Sequence, residues 1–378
     1  MKSTQAGSFR LLFVAFLAGA VSSTYFLFHS DPWRTTVHLG WLAAAGIAVV
    51  AATMAGVLTV ARLSLGQASR RRLIAAIFLA ASGFLSLAML EAGFMQFSRS
   101  HGVGYSLAAQ AWFRRYWHVN SLGYREIEFS AANLADRKKL VIVGDSFTAG
   151  HGIAKPEDRF SDRLQLGLTK DWLVLNCGIN GADSRTEFKY LESLPFRPDF
   201  LILAYFGNDI REAADAARHS PAVIVPYADV SPAVAQLVQK SFLLDFLYWS
   251  VPQKDLQHWW DYYDEVYRDP RILAMHEEDL AKFCRYAEQQ EIPFLVVLFP
   301  YLQDLPRSDT YVHFVRNYFE KRAIPVLDVR EFVGDLTVRE RTVNVNDIHP
   351  SRLVHQRVSD HLTPMVRSII EARRKREH

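Results

Sequence analysis

The stretch Leu140-Val-Ile-Val-Gly-Asp-Ser-Phe-Thr148 decides the fold. Four aliphatic residues in a row, closed by a glycine, suit a short strand covered on both faces, and the polar turn after them suits entry into a helix. Comparable apolar runs recur at 172–175, 200–205, 294–299 and 324–327, with helix-compatible stretches between them. The spacing leaves room for crossover connections, so the pattern predicts an α/β fold built on an open parallel sheet flanked by helices. In such sheets ligands bind beyond the carboxyl ends of the strands, which directs attention to the polar residues that follow each run.

Four of these junctions carry reactive side chains. Ser146 follows the first run on a turn that opens a helix, where unpaired N–H groups and the positive end of the helix dipole face it. Asn176-Cys-Gly-Ile-Asn-Gly181 follows the second, and its glycines let backbone approach a ligand closely. Phe206-Gly-Asn-Asp209 follows the third; Asn208 offers an amide donor, and Asp209 could simply cap the next helix. Asn346-Asp-Ile-His-Pro350 follows the last and brings a histidine with a carboxylate beside it. Taken singly, each is also an ordinary turn or cap.

Together the four loops resemble those of the SGNH, or GDSL-type, hydrolases, whose blocks match here as Ser146, Gly181, Asn208 and His349 in the family's order. The similarity runs from about residue 120 to the C-terminus. It includes Asn120-Ser-Leu-Gly-Tyr-Arg125, which resembles the approach to the first block in membrane-anchored relatives. The resemblance implies a flavodoxin-like sheet of the SGNH type, a catalytic set of Ser146, His349 and Asp347, and an oxyanion hole from Ser146, Gly181 and Asn208. One departure stands out. The family commonly places its aspartate three residues before the histidine, where this chain has Asn346, and the carboxylate of Asp347 lies two before. Only an anion stabilises the imidazolium formed when histidine takes the serine proton, so the chemistry favours Asp347. His151, five residues beyond Ser146, is read as lining the site or the surface and not as the base.

The N-terminal third is different in character. Residues 1–120 hold ten Lys and Arg against two acids, Asp31 and Glu91, whereas the remainder holds 33 basic and 38 acidic residues. Three nearly uncharged stretches at 11–28, 37–61 and 73–90 are each long enough to cross a hydrocarbon core as a helix. Lys2 and Arg10 precede the first, and Arg62, Arg70, Arg71 and Arg72 fill the second loop, while the first loop offers Arg34 beside Asp31. The excess of positive charge puts the N-terminus and second loop in the cytoplasm and the rest of the chain outside an inner, or cell, membrane. A cleaved signal peptide ending near Ala18-Gly-Ala20 is the alternative for the first stretch and leaves that sidedness unchanged. A water-buried bundle is the alternative for all three.

The expected organisation is therefore a membrane region over 1–94, a juxtamembrane linker over 95–136, and a hydrolase domain over 137–378 with an aromatic-rich insertion at about 211–270. That insertion holds Phe242, Phe246, Tyr248, Trp249, Trp259, Trp260, Tyr262, Tyr263 and Tyr267, read as a helical cap that shapes specificity or stacks on sugar or lipid. Two cysteines, Cys177 and Cys284, make neither a disulfide framework nor a four-thiolate site, and no His-Glu-x-x-His or phosphate-loop spacing occurs. The basic excess sits in the membrane region, which argues against nucleic acid as a partner. No cofactor and no metal are expected. The leading expectation is a multi-pass membrane esterase that removes acyl, chiefly acetyl, groups from an extracytoplasmic glycan. An O-acyltransferase, which would need a membrane partner to deliver its donor, and a catalytically silent binding or assembly module are the alternatives.

Overall fold

The computed structural model describes residues 14–21, 35–102, 104–134, 136–220, 227, 229–251 and 255–377. The chain forms two compact units. One is drawn from the described parts of Met1–Ser98, Tyr105–Ala111 and Val225–Val251; the other from those of Arg99–Gly104, Trp112–Ile224 and Pro252–His378.

The second unit is built on five strands, β1 (Lys138–Gly144), β2 (Trp172–Gly178), β3 (Phe200–Tyr205), β4 (Phe294–Leu298) and β5 (Val326–Asp328). All pair in parallel, in the order β2-β1-β3-β4-β5. This is the flavodoxin-like order, in which the chain switches direction across the sheet between β1 and β3. Every residue of β2, β3 and β4 is buried, because helices cover both faces; that is why these strands read as unbroken apolar runs and not as alternating ones. The long C-terminal helix Arg352–Glu377 packs on the helix Phe160–Gly167.

A second, antiparallel pair, β6 (Thr342–Asn344) and β7 (Asp347–Pro350), occupies what the sequence suggested was a loop before the last helix. Its strands are too short to leave a run in the sequence. The stretch expected to be linker also contributes to this unit. Of that stretch, the described residues of Arg99–Gly104 and of 112–136 belong to it, and Arg125 donates to the carbonyls of Gly150, Ile153, Ala154 and Tyr116.

In the first unit, Thr35–Arg62 and Gln67–Met95 are helices. His38–Arg62 and Gln67–Met95 are each long and apolar enough to cross a membrane. Among the described residues, large apolar side chains stand exposed along both, including Ile47 at 72%, Leu79 at 76% and Met89 at 76%. Of the first expected span, residues 14–21 are helical and the others lie outside the described residues. The unit also takes in the short helices Pro232–Val238 and Phe242–Trp249. Glu91, near the end of its long helix, accepts from Ser241 Oγ at 2.7 Å and from the backbone N–H groups of Phe242 at 2.8 Å and Leu243 at 3.1 Å. A carboxylate there satisfies donors that the start of a helix leaves unpaired. The aromatic insertion is thus divided: Phe242, Phe246, Tyr248 and Trp249 fall in this unit, and Trp259, Trp260, Tyr262, Tyr263 and Tyr267 in the other.

Candidate active site

The turn after β1 is shaped by close packing. Asp145 caps the four-residue helix Ser146–Ala149, its carboxylate accepting from Phe147 N at 2.8 Å, and Gly150 closes it in a left-handed conformation with φ 77°. At Gly178, closing β2, an added Cβ would come within 2.4 Å of Ala149 N, so glycine is required where the second loop passes the turn. Ile179 N donates to Gly144 O at 2.9 Å and Ser184 N to Asp209 O at 3.1 Å, which ties the loops after β1, β2 and β3 together. These are the loops at the switch point.

Ser146 Oγ lies 2.8 Å from His349 Nε2, and His349 Nδ1 lies 2.5 Å from Asp347 Oδ1. The hairpin explains the short aspartate spacing. On a strand, residues i and i+2 point to one face, so Asp347 and His349 on β7 lie side by side without the extra residue. The backbone of Asn346 ties down the hairpin: its N–H donates to Asn344 Oδ1 and its carbonyl accepts from Gly102 N. Burial alone would raise the Asp347 carboxyl, but the imidazoles of His349 and His151 and the hydroxyl of Ser100 outweigh it and hold it below the usual carboxylate range. Asp347 is therefore an anion beside the His349 ring.

The oxyanion-side residues are placed as follows. Gly181 has φ 77° with open space where a Cβ would be, and its carbonyl accepts from Arg211 Nη2 at 2.8 Å. Asn208 hydrogen-bonds Asp145, whose carboxyl is pushed up to about 6 by burial against the opposing pull of Phe147 N–H, His349, Asn208 and Ser146. Asp209 does not cap the helix Arg211–Ala216, for which Ile210 is the N-cap; its carboxylate turns back to accept from Phe206 N at 3.0 Å. Burial, with Glu187 and Asp145 near, keeps Asp209 well above the carboxylate range.

Ser100 and His101, which the sequence left in the linker, and His151, read as lining the site or the surface, surround the side chains of Ser146, His349 and Asp347. Ser100 Oγ donates to Asp347 Oδ2. His101 is buried, its carbonyl 3.2 Å from His151 Nε2. His151 lies flat on His349, ring centroids 4.0 Å apart and planes within 3°. Only one signal hinted at the last: its position one turn past Ser146, where its N–H bonds Ser146 O at 2.9 Å. Ligand-type atoms of His151, Asp347 and His349 lie within 4.8 Å of one another. Imidazole lone pairs lie in the ring plane, however, and two parallel planes do not converge on one ion. The trio is a stack against a hydrogen-bonded pair.

Aromatic rings continue from the nucleophile turn. Phe147 stacks on Phe206 at 3.9 Å, Phe206 faces Trp259 at 6.4 Å, and Trp260 meets Tyr301 at 4.4 Å. Trp259 and Trp260 are half-buried.

Comparison with known proteins gives the family. The GDSL-like Lipase/Acylhydrolase family matches residues 142–357, more than half of the chain. Among solved structures, the lipase/acylhydrolase from Enterococcus faecalis is 15% identical, covering 61% of this chain and 96% of its own, with a TM-score of 0.37. The psychrotrophic esterase EstA from Pseudoalteromonas sp. is 13% identical, covering 62% and 99%, with a TM-score of 0.38. A lipolytic protein of the G-D-S-L family from Veillonella parvula is 12% identical, covering 59% and 94%, with a TM-score of 0.37. No curated protein sequence matches the chain. With its match extending from β1 through β7 into the last helix, the chain belongs to the GDSL-like lipase/acylhydrolase family and is a serine ester hydrolase.

Proposed function

We propose that this protein is a membrane-anchored esterase that removes acyl groups, acetyl foremost, from a glycan on the outer side of the cell membrane, with Ser146, His349 and Asp347 as its triad. The observation that carries the reading is the unbroken line from Ser146 Oγ through the His349 ring to Asp347, at 2.8 Å and 2.5 Å.

In this reading His349 Nε2 takes the Ser146 proton as Oγ attacks the ester carbonyl. Asp347 fixes the tautomer and stabilises the imidazolium. The oxyanion is met by the backbone N–H groups of Ser146 and Gly181 and by the Asn208 amide, one donor of this kind contributing about 3 to 4 kcal/mol to the transition state. The tetrahedral species collapses with loss of the sugar alkoxide, which receives the proton from His349. Water then attacks the acyl-serine by the same route in reverse and releases the carboxylic acid.

Two helices of membrane-spanning length support the anchor, and the arginines at 62, 70, 71 and 72 support a cytoplasmic second loop. An odd number of spans, with 11–28 as the first, puts the sheet unit outside. The half-buried indoles of Trp259 and Trp260, joined through Phe206 and Tyr301 to the Asn208 loop, offer the apolar faces on which sugar rings stack. The test is to incubate the purified full-length protein with acetylated oligosaccharide, with and without an unacetylated acceptor, and weigh the products. Free acetate and deacetylated sugar, lost in Ser146→Ala, are expected. Acetyl appearing on the acceptor in place of free acetate would make the protein an O-acyltransferase, and no change in the sugar would remove the glycan from the reading.

A further inference from the structure

The geometry points to His151 as a positioning residue for the reaction: its uncharged ring is the platform on which the His349 imidazole lies and against which the imidazolium forms. The inference rests on the triad reading above and adds to it a residue that touches the base but not the ester.

The ring has aromatic neighbours besides its partner. It lies on His349 at 4.0 Å with planes 3° apart; Trp112 is nearly parallel to it at 6.0 Å and 11°, with Phe113 edge-on at 5.0 Å and Trp117 at 6.2 Å. Its Nε2 is 3.2 Å from the carbonyl of His101 and 3.7 Å from Asp347 Oδ2, so Nε2 carries the proton. Its Nδ1 is 3.2 Å from the side-chain amide of Asn180, which serves as the donor once the amide is turned to present its nitrogen. Its own N–H is bonded to the carbonyl of Ser146. One residue therefore links the nucleophile turn, the base, the second loop and the first residues of the unit.

Two physical effects follow. A flat surface 4.0 Å away stops the His349 ring from tipping, which keeps Nε2 aimed at Ser146 Oγ through the whole proton transfer. The π face of a neutral ring also attracts the cation that His349 becomes, whereas a charged ring would repel it. Burial first, and then the nearness of His349, bring His151 down to about 4, so the ring is uncharged near neutral pH. The other groups that face His349 are Asp347 and Ser146 in contact, Asp145 from the turn after β1, Phe147 at 5.2 Å and His355 from the last helix. His101 and Asn180 face His151. None of these supplies a second parallel π surface.

The experiment uses the full-length protein in detergent with a chromogenic acetyl ester, measured across about pH 4.5 to 9 so that the pH profile of kcat is recorded. His151→Phe keeps the ring without its hydrogen bonds; His151→Gln keeps hydrogen-bonding groups without the ring. For Gln, kcat is expected to fall by roughly 10- to 30-fold with KM changed less than about twofold, and the acid limb of the kcat profile to move down by about half a pH unit or more, because the imidazolium has lost its support. Phe is expected to stay within about threefold of the wild type, with its acid limb in place. If the Gln variant does not accumulate as folded protein, His151→Leu replaces it with the same expectation. Equal loss in Phe and Gln, or acid limbs unmoved in both, would overturn the proposal and leave His151 as packing. Wild-type turnover that survives Ser146→Ala would instead overturn the triad reading, and this inference with it.

Discussion

Each of the two units buries a carboxylate between a histidine and a serine. In the sheet unit Asp347 receives His349 Nδ1 at 2.5 Å and the hydroxyl of Ser100. In the other, Glu91 receives Ser241 Oγ at 2.7 Å and lies 3.4 Å from His38 Nε2. The residue types are nearly the same and the arrangements are not. Glu91 also takes two backbone N–H groups at the start of the helix Phe242–Trp249, so its charge is spent holding one chain segment to another. Asp347 instead bonds an imidazole whose other nitrogen faces a second hydroxyl, Ser146 Oγ. A carboxylate, an imidazole and a hydroxyl become a catalytic set only when they are joined in that order; otherwise they are a staple.

Substitutions can break the comparison from either side. Removing either end of the proton path, by Ser146→Ala or His349→Ala, should lower turnover of an acetyl ester by about 10⁵- to 10⁶-fold while circular dichroism stays unchanged. Asp347→Asn should cost roughly 10⁴-fold, since an amide can neither hold the right tautomer nor stabilise the imidazolium. Asn208→Ala removes one oxyanion donor and should cost about 10²- to 10³-fold in kcat with the fold intact. Glu91→Ala should act on stability and not on chemistry. It leaves buried donors at Ser241, Phe242 and Leu243 without their acceptor, at about 1 to 3 kcal/mol each at most. Limited proteolysis should then cut within 231–251 sooner than in the wild type, with kcat held to within about threefold.

The smallest effect concerns pH and sharpens the same contrast. His101, His151, His276 and His355 in the sheet unit are buried, and burial lowers them to about 4, 4, 3 and 3 from 6.5. Below about 6.5 the unfolded chain binds protons that these buried histidines refuse, so their contribution to stability is complete above that value and declines as pH falls toward 4. Asp145 and Asp209, raised by burial, act in the opposite sense over the same interval, so the histidine part is read by difference: between about pH 6.5 and 4 the denaturant midpoint of the wild type should fall relative to that of His276→Gln. A constant difference between the two proteins would mean that His276 is hydrated.

The legible parts of the molecule are those in which neighbours in sequence are neighbours in space. β1 to β4 could be read from short apolar runs, because strands covered on both faces leave no polar positions. The four polar junctions could be read because each follows its strand directly. What escaped was contact over long separations. Ser100 reaches Asp347 across 247 positions, and nothing in the local composition of 95–136 marks it as anything but linker. The pair β6 and β7 was too short to show its alternation, although the two-residue step from Asp347 to His349 is that alternation. His151 was read as lining the site or the surface, and its place against the His349 ring was not legible, since stacking leaves no trace in sequence. The aromatic insertion looked like one segment because composition does not record that its two halves fold into different units.

The account stands or falls on Ser146 as a nucleophile activated by His349. The direct measurement is covalent trapping: the full-length protein is treated with a fluorophosphonate, and the adduct is mapped by peptide mass spectrometry. The structure predicts a single adduct on Ser146, with labelling slowed by at least about 100-fold in His349→Ala. An adduct on another residue, or labelling at the same rate in both proteins, would contradict it.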